Sequence, residues 1–344
     1  MTPRERIIRT VEFSGPDKMP VHRSVFPGAL QRHGQKLADL LNGIPDDFSP
    51  AKVEVPPPPK KDAPPMESYR DEWGCLWLRR QGYTAGEVKE PPLPTWDHFK
   101  NYQFPELPTF EGVEKFIRET DHRWYVFGYS WNLNLFERLQ FVRGTENLFM
   151  DLAEDREEVH VLADRIVQYY TDGIKRCLGT GADGYYFSDD WGAQTSMLIS
   201  PEKWRTFFKP RYRGMFDVVK NAGAHVWFHT DGWITEILDD LIEIGVDVLN
   251  PQHHIMGNEL VAERIAGRIC LRSDLDRQHI IPHGSPDEIE AHVKDIIRLF
   301  GDFNGGLVLH GEVGPEVPFE NIEAMHRAFE RYGRYPLDWL ARES

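Results

Sequence analysis

The feature that most constrains this chain is a regular alternation that begins near residue 111. Segments with helical periodicity at 111–120, 132–142, 145–178, 201–222, 233–244, 257–266, 285–300 and 319–332 enclose short runs rich in β-branched and aromatic residues. Those runs are WYVFGYS at 124–130, GYYFSDD at 184–190, HVWFHTDG at 225–232, VDVLNP at 246–251, ICLRSDLD at 269–276 and GLVLHGE at 306–312. Such alternation implies parallel strands joined by crossover helices. Nearly continuous apolar runs are what strands buried on both faces require. Met19–Val25 supplies one more strand, and the early region is expected to hide another. Eight strands close a (β/α)8 TIM barrel. The rival, an open doubly wound sheet, lacks support because no Gly-rich phosphate loop follows any strand.

The first hundred residues read as an elaboration on that core. Thr2 and Pro3 open a helix as N-cap and first-turn proline, and the helix runs to about Phe13. Residues 28–42 read as helical. Residues 45–65, with four prolines at 56–59 followed by Lys60 and Lys61, read as an extended surface connection. Tyr69–Leu78 and Gln81–Val88 suggest a hairpin turning near Arg80, Gln81 and Gly82, and 91–110 reads as irregular. The expected organisation is one barrel domain over 1–344. In it, 1–110 carries the N-terminal helix, first strand, Pro-rich segment and hairpin, and 111–344 forms the main barrel.

Charge and cysteine usage exclude several classes. A net charge of −15 repels nucleic acid and anionic membranes. Cys75, Cys177 and Cys270 are scattered and form no CxxC pair, so neither a disulfide framework nor a thiolate zinc knuckle is indicated. The N-terminus lacks a signal-peptide core and no long apolar run appears, which together point to the cytoplasm.

Chemistry is expected at the C-terminal strand ends, and each late strand ends in a polar cluster. The clusters are Ser188, Asp189, Asp190; His229, Thr230, Asp231; Asn250, Pro251, Gln252, His253, His254; Arg272, Ser273, Asp274, Leu275, Asp276; and His310, Gly311, Glu312. One such cluster is ordinary helix capping; five in succession exceed what capping requires. His229 and Asp231, two apart at a strand end, point the same way. With His310 or Glu312 they form the expected metal set, suited to zinc or a harder divalent ion. Asp189, Asp190 and Asp276 are the candidate proton-transfer carboxylates. Arg23, Arg272, Gln252, His253, Tyr186 and Trp191 are the candidate substrate contacts, with Trp131 and Trp233 as further aromatic wall. At most one of His253 and His254 is expected to face the pocket.

At these residues the sequence resembles the uroporphyrinogen decarboxylase superfamily, which includes corrinoid-dependent methyltransferases. The resemblance rests on GADGYYFSDDWGAQTSMLISPEKWRTFFKPRY, HTDGWITEILDDLIEIGVDVLNPQ, RSDLD and VPFENIEAM, and covers roughly 110–335 with a weaker opening at 1–28. Its decarboxylases carry an early Arg-Gln-Ala-Gly-Arg motif, which grips substrate carboxylates. MPVHRSVFPG stands there instead and keeps only Arg23. Its methyltransferases carry a zinc-binding His-x-Cys, to which His229 and Asp231 correspond. That implies a His/carboxylate centre favouring an oxygen acceptor over a thiol. No corrinoid-binding Asp-x-His-x-x-Gly occurs, so a corrinoid would arrive on a separate protein. The resemblance therefore implies a methyltransferase-like enzyme acting on a small molecule, with homodimers common among its barrels. A decarboxylase of a carboxylated aromatic, using Arg23, Arg272 and Arg211, and a non-catalytic binding barrel are the alternatives.

Overall fold

A computed structural model describes residues 1–57, 66–80, 86–128 and 133–343. The strands are β1 (Val21–Val25), β2 (Met66–Arg70), β3 (Leu76–Arg80), β4 (Glu87–Glu90), β5 (Gly184–Ser188), β6 (His225–Thr230), β7 (Val248–Pro251), β8 (Cys270–Arg272) and β9 (Leu307–Val313). Six of them form one parallel sheet in the order β1-β9-β8-β7-β6-β5. The order follows the chain once β1 is placed beside β9, as a barrel wound by crossover helices requires. The fold is an α/β barrel of the TIM type with N-terminal additions.

The sheet does not close by a regular ladder among the described residues. Of the expected strand 124–130, the described residues form one isolated bridge, Phe127–Gly184, on the free edge of β5, and Leu133, expected in a helix, bridges Phe187 there instead. The remaining place is taken by chain from the Pro-rich segment. Asp47 donates its backbone N–H to the Val21 carbonyl, and its carboxylate accepts from the Val21 N–H. Between these two irregular segments the rings of Phe48 and Phe127 stack, with centroids 6.3 Å apart. The reading of 45–65 as a surface connection therefore fails for 46–48, because an aromatic side chain there fills the barrel seam. Pro58 to Lys61, and the turn residues Gln81 and Gly82, lie outside the described residues, as does Trp131.

Other boundaries shift as well, and the helix expected over 145–178 is two, Thr145–Glu154 and Glu157–Cys177, broken at Asp155 with φ +54°. The helix expected over 28–42 is two helices, Pro27–His33 and Gln35–Asn42, separated by Gly34 at φ +61°. The run 69–78 is not one strand: Asp71 accepts from the Cys75 N–H across a turn, so β2 and β3 pair antiparallel and β4 adds to β3.

Period-two geometry sorts the strand residues into two faces. Phe187 and Phe228 face outward and pack against Tyr212 and Phe216 of the helix Lys209–Asn221, and Tyr185 donates to the Ile174 carbonyl. Inside, Trp227, Val248, Cys270 and Val308 form an apolar layer near the strand starts. Ile7 and Val11 from the helix Pro3–Val11 pack onto it. Thr2 and Glu5 cap that helix reciprocally, with Pro3 in its first turn. Two residues further along the strands the interior turns polar, at His229, Asn250, Arg272 and His310. The barrel is thus sealed with hydrocarbon at one end and lined with titratable groups at the other.

Candidate metal centre and active site

His229 is fixed by its neighbour on β7. Its Nδ1 faces two acceptors, the Asn250 carbonyl at 3.0 Å and Asn250 Oδ1 at 2.9 Å. The Asn250 amide is itself oriented, because its Nδ2 donates to the Arg272 carbonyl and its Oδ1 accepts from Arg272 Nη1. Two acceptors opposite Nδ1 place the ring proton there and leave Nε2 with a lone pair.

That lone pair faces carboxylates. Asp231 Oδ1 lies 3.7 Å from His229 Nε2 and Asp190 Oδ1 lies 3.9 Å from it. One ligand atom from each of Asp190, His229 and Asp231 falls within 4.8 Å of the others. Asp231 Oδ1 is buried and has no hydrogen-bond partner among the described residues. Burial, and then the charge of Asp231, raises the Asp190 carboxyl above its ordinary range. Three lone-pair atoms converge on one point, and among the described residues only the Asp231 N–H, at Asp190 Oδ1, donates to the two carboxylate oxygens, an arrangement that a cation satisfies.

Close backbone packing brings the two carboxylates together. Gly192 and Gly232 cross just past β5 and β6, and a Cβ on Gly232 would lie 2.0 Å from the Gly192 carbonyl oxygen. Gly232 also sits at φ +84°, where L side chains are strained. The crossing lets the Asp231 N–H donate to Asp190 Oδ1 at 2.9 Å. Gln252, a predicted substrate contact, accepts from the Gly232 N–H at 3.2 Å and braces this turn.

Arg277 completes the mouth. Its guanidinium donates to Asp231 Oδ2 at 2.5 Å and to Glu312 Oε2 at 2.8 Å, and stands 3.7 Å from Asp274. Glu312 thus reaches the cluster through Arg277 and is not part of the close triad. His310 is also outside it: its Nδ1 faces the Ser273 carbonyl at 2.9 Å, and its Nε2 is buried without a partner among the described residues. Burial, followed by Asp190, pushes Glu137 up to about 7. Burial likewise pushes Asp274 up to about 7, although Arg277 opposes it.

Other predicted site residues lie elsewhere. Asp189 is fully buried, and its oxygens accept from the N–H groups of Leu135, Phe136 and Glu137 and from the Tyr212 hydroxyl. Burial and Glu137 push its carboxyl upward while these donors pull the other way. It anchors the first turn of the helix Phe136–Arg143. Trp191 is a core residue, stacked on Phe136 at 4.6 Å. His253 is buried, accepts from the Asp274 N–H and contacts Asn258 Oδ1, and burial lowers it to about 4. Asp276 accepts from the N–H groups of Gln278 and His279 in a tight turn. Arg23, expected as a substrate contact, is turned away from the interior. It sits between inward-facing His22 and Ser24, and it points outward to Asp46 and the carbonyls of Leu41 and Ala51. Tyr186 and Arg272 do face the interior, lining a cavity of about 410 Å³ with His22, Phe48, Phe127 and Trp227.

Sequence reasoning missed Arg277, Glu137 and His22. Arg277 directly follows the quoted RSDLD run, and His22 directly precedes Arg23, so both were one step from the residues singled out. Nothing in sequence marks Glu137, a first-turn acid like many others.

A parallel barrel with a His/carboxylate cluster at the carboxyl ends of its strands defines the class. Comparison with known proteins gives the family: the model described as uroporphyrinogen decarboxylase (URO-D) matches residues 139–332, more than half of the chain, and the chain belongs to that family. Curated relatives include uroporphyrinogen decarboxylases from Synechococcus sp. (strain CC9605), 25% identical over 50% of this chain and 47% of the relative, and from Idiomarina loihiensis, 22% identical over 71% and 72%. The chain spans about half the length of the first of these. A solved methyltransferase from Methanosarcina mazei superposes with a TM-score of 0.65 at 15% identity, covering 96% of this chain and 99% of that one, which shows a shared fold.

Proposed function

We propose that this chain is a metal-dependent methyltransferase-like enzyme, with a divalent ion held by Asp190, His229 and Asp231. The observation that carries the reading is the convergence of His229 Nε2 with two carboxylate oxygens, of which Asp231 Oδ1 has no hydrogen-bond partner among the described residues. A bound ion of this kind acts as a Lewis acid on a substrate heteroatom, and an oxygen-rich donor set suits zinc or a harder ion with an oxygen substrate. Arg277 holds Asp231 Oδ2 and leaves Oδ1 directed at His229. Glu137 and Asp274, both near neutrality, accept or release the substrate proton beside the triad. In this reading a corrinoid carried on a separate protein, docked over the strand ends, would be the partner in methyl transfer. Metal analysis of the purified protein tests the centre: about one divalent ion per chain is expected, and His229→Ala loses it. Equal metal content in the two proteins sinks the assignment.

A second reading, a metal-independent decarboxylase, is favoured by Arg272 inside an aromatic cavity and by the names of the curated relatives. Conversion of uroporphyrinogen to coproporphyrinogen by metal-free protein would establish it. We expect no conversion, because Arg23 is turned out of the barrel and Arg272 offers one positive charge to a substrate with eight carboxylates.

A further inference from the structure

Near the triad, the interior holds a guanidinium with no anionic partner among the described residues. Arg272 is 8% exposed. It donates through Nη1 to the Tyr186 hydroxyl at 3.1 Å and to Asn250 Oδ1 at 2.7 Å, both neutral acceptors. No carboxylate lies within ion-pairing distance of it among the described residues. Among the described residues its Nε is buried without a hydrogen-bond partner, and so is Nδ1 of His22, which lines the same cavity. A buried charge left unpaired is costly, and proteins keep one where a ligand supplies the partner.

The remaining walls are aromatic. Phe48, Phe127, Tyr186 and Trp227 surround the cavity, with the Phe127 and Trp227 rings edge-to-face at 5.2 Å and Phe127 and Tyr186 at 5.8 Å. Its volume of about 410 Å³ lies in the range of small-molecule pockets, roughly 300–1,000 Å³. A second cavity of about 410 Å³ shares Phe48, Ser49 and Phe127 and extends the space sideways through the seam.

We propose that this cavity binds an aromatic monocarboxylate, its carboxylate on Arg272 and its ring against the wall formed by Phe127, Trp227 and Tyr186. The planar guanidinium fork matches a planar carboxylate. His22 carries no balancing charge: burial and then Arg272 lower its pKa well below the ordinary histidine value. One net positive charge therefore meets one negative charge, and a phosphate dianion would be left under-compensated. The inference names the substrate class of the enzyme proposed above, but it stands on groups that do not include the triad.

Benzoate titrated calorimetrically into the full chain is the test, with benzamide as its uncharged counterpart. Benzoate is expected to bind once per chain, and benzamide about 10- to 100-fold more weakly, as loss of a charge-assisted hydrogen bond implies. Arg272→Met, checked for native circular dichroism, should weaken benzoate by a similar factor, with Arg272→Lys in between. Protein stripped with EDTA should bind benzoate within about threefold of untreated protein, which separates this proposal from the metal assignment. Failure of millimolar benzoate to bind, benzamide binding as tightly as benzoate, or loss of benzoate binding on EDTA treatment would each overturn it.

Discussion

Gly192 and Gly232 touch backbone to backbone, and no side chain fits at either position. Asp190 and Asp231 flank this contact, so the separation of the two carboxylates is set by main chain. Gly232→Ala is expected to cost more than about 2 kcal/mol of stability, from the positive φ and the overlap together. It should also weaken divalent-ion binding at least tenfold. Thermal melts and metal titration read the two effects, and native melting with native metal affinity would refute the link.

The third ligand can be decided chemically. Sequence expectation offered His310 or Glu312, whereas the geometry offers Asp190. Asp190→Asn should abolish stoichiometric metal, and Glu312→Gln should retain it with no more than a few-fold change in affinity. Metal content of the two variants, measured side by side, decides between the assignments.

Arg277 ties Asp231 to Glu312 with two arms of one guanidinium. Removing it leaves partly buried carboxylates facing each other, and Arg277→Met is expected to lower stability by about 3 kcal/mol. Arg277→Lys should recover only part of that, because an ammonium cannot reproduce the fork. Denaturant midpoints at constant m-value would show the order wild type, Lys, Met; equal midpoints for Lys and Met would contradict it.

Two buried histidines set a limit on acid stability. Burial lowers His253 and His326 to about 4, against an ordinary value of 6.5. Between these values the unfolded chain binds protons that the folded chain refuses, so stability falls as pH drops from about 6.5 towards 4. Each histidine contributes on the order of 3 kcal/mol to that loss. His326→Gln should flatten the fall in melting temperature between pH 6.5 and 4.5, although the variant starts lower at pH 7. A pH slope unchanged from wild type would show that His326 does not contribute.

The half of the fold from β5 onward was legible because each strand is a short apolar run ending in polar residues. His229 and Asp231 were legible as a pair for the same reason: their two-residue spacing survives any uncertainty about where the strand begins. Arg23 was misread because a single-residue change of parity sends a side chain to the opposite face. Asp189 looked catalytic and His253 looked like a substrate contact by residue type, yet each is held by groups brought from other segments, such as the N–H groups of 135–137 and 274, which the local pattern does not reveal. The 46–48 segment was hidden by its prolines, since it fills a place in the barrel without strand periodicity.

That substitution of packed rings for a ladder has a consequence for how this barrel can change. Along most of its circumference, a wider interior would demand a new hydrogen-bond register, which moves every inward residue. Across the Phe48–Phe127 seam, width is set by side chains alone. Single replacements there can enlarge or narrow the interior while the triad and its strands stay in place. Capacity and chemistry are thus separately adjustable, and relatives of this chain can diverge in the size of what they hold without rebuilding the centre that acts on it.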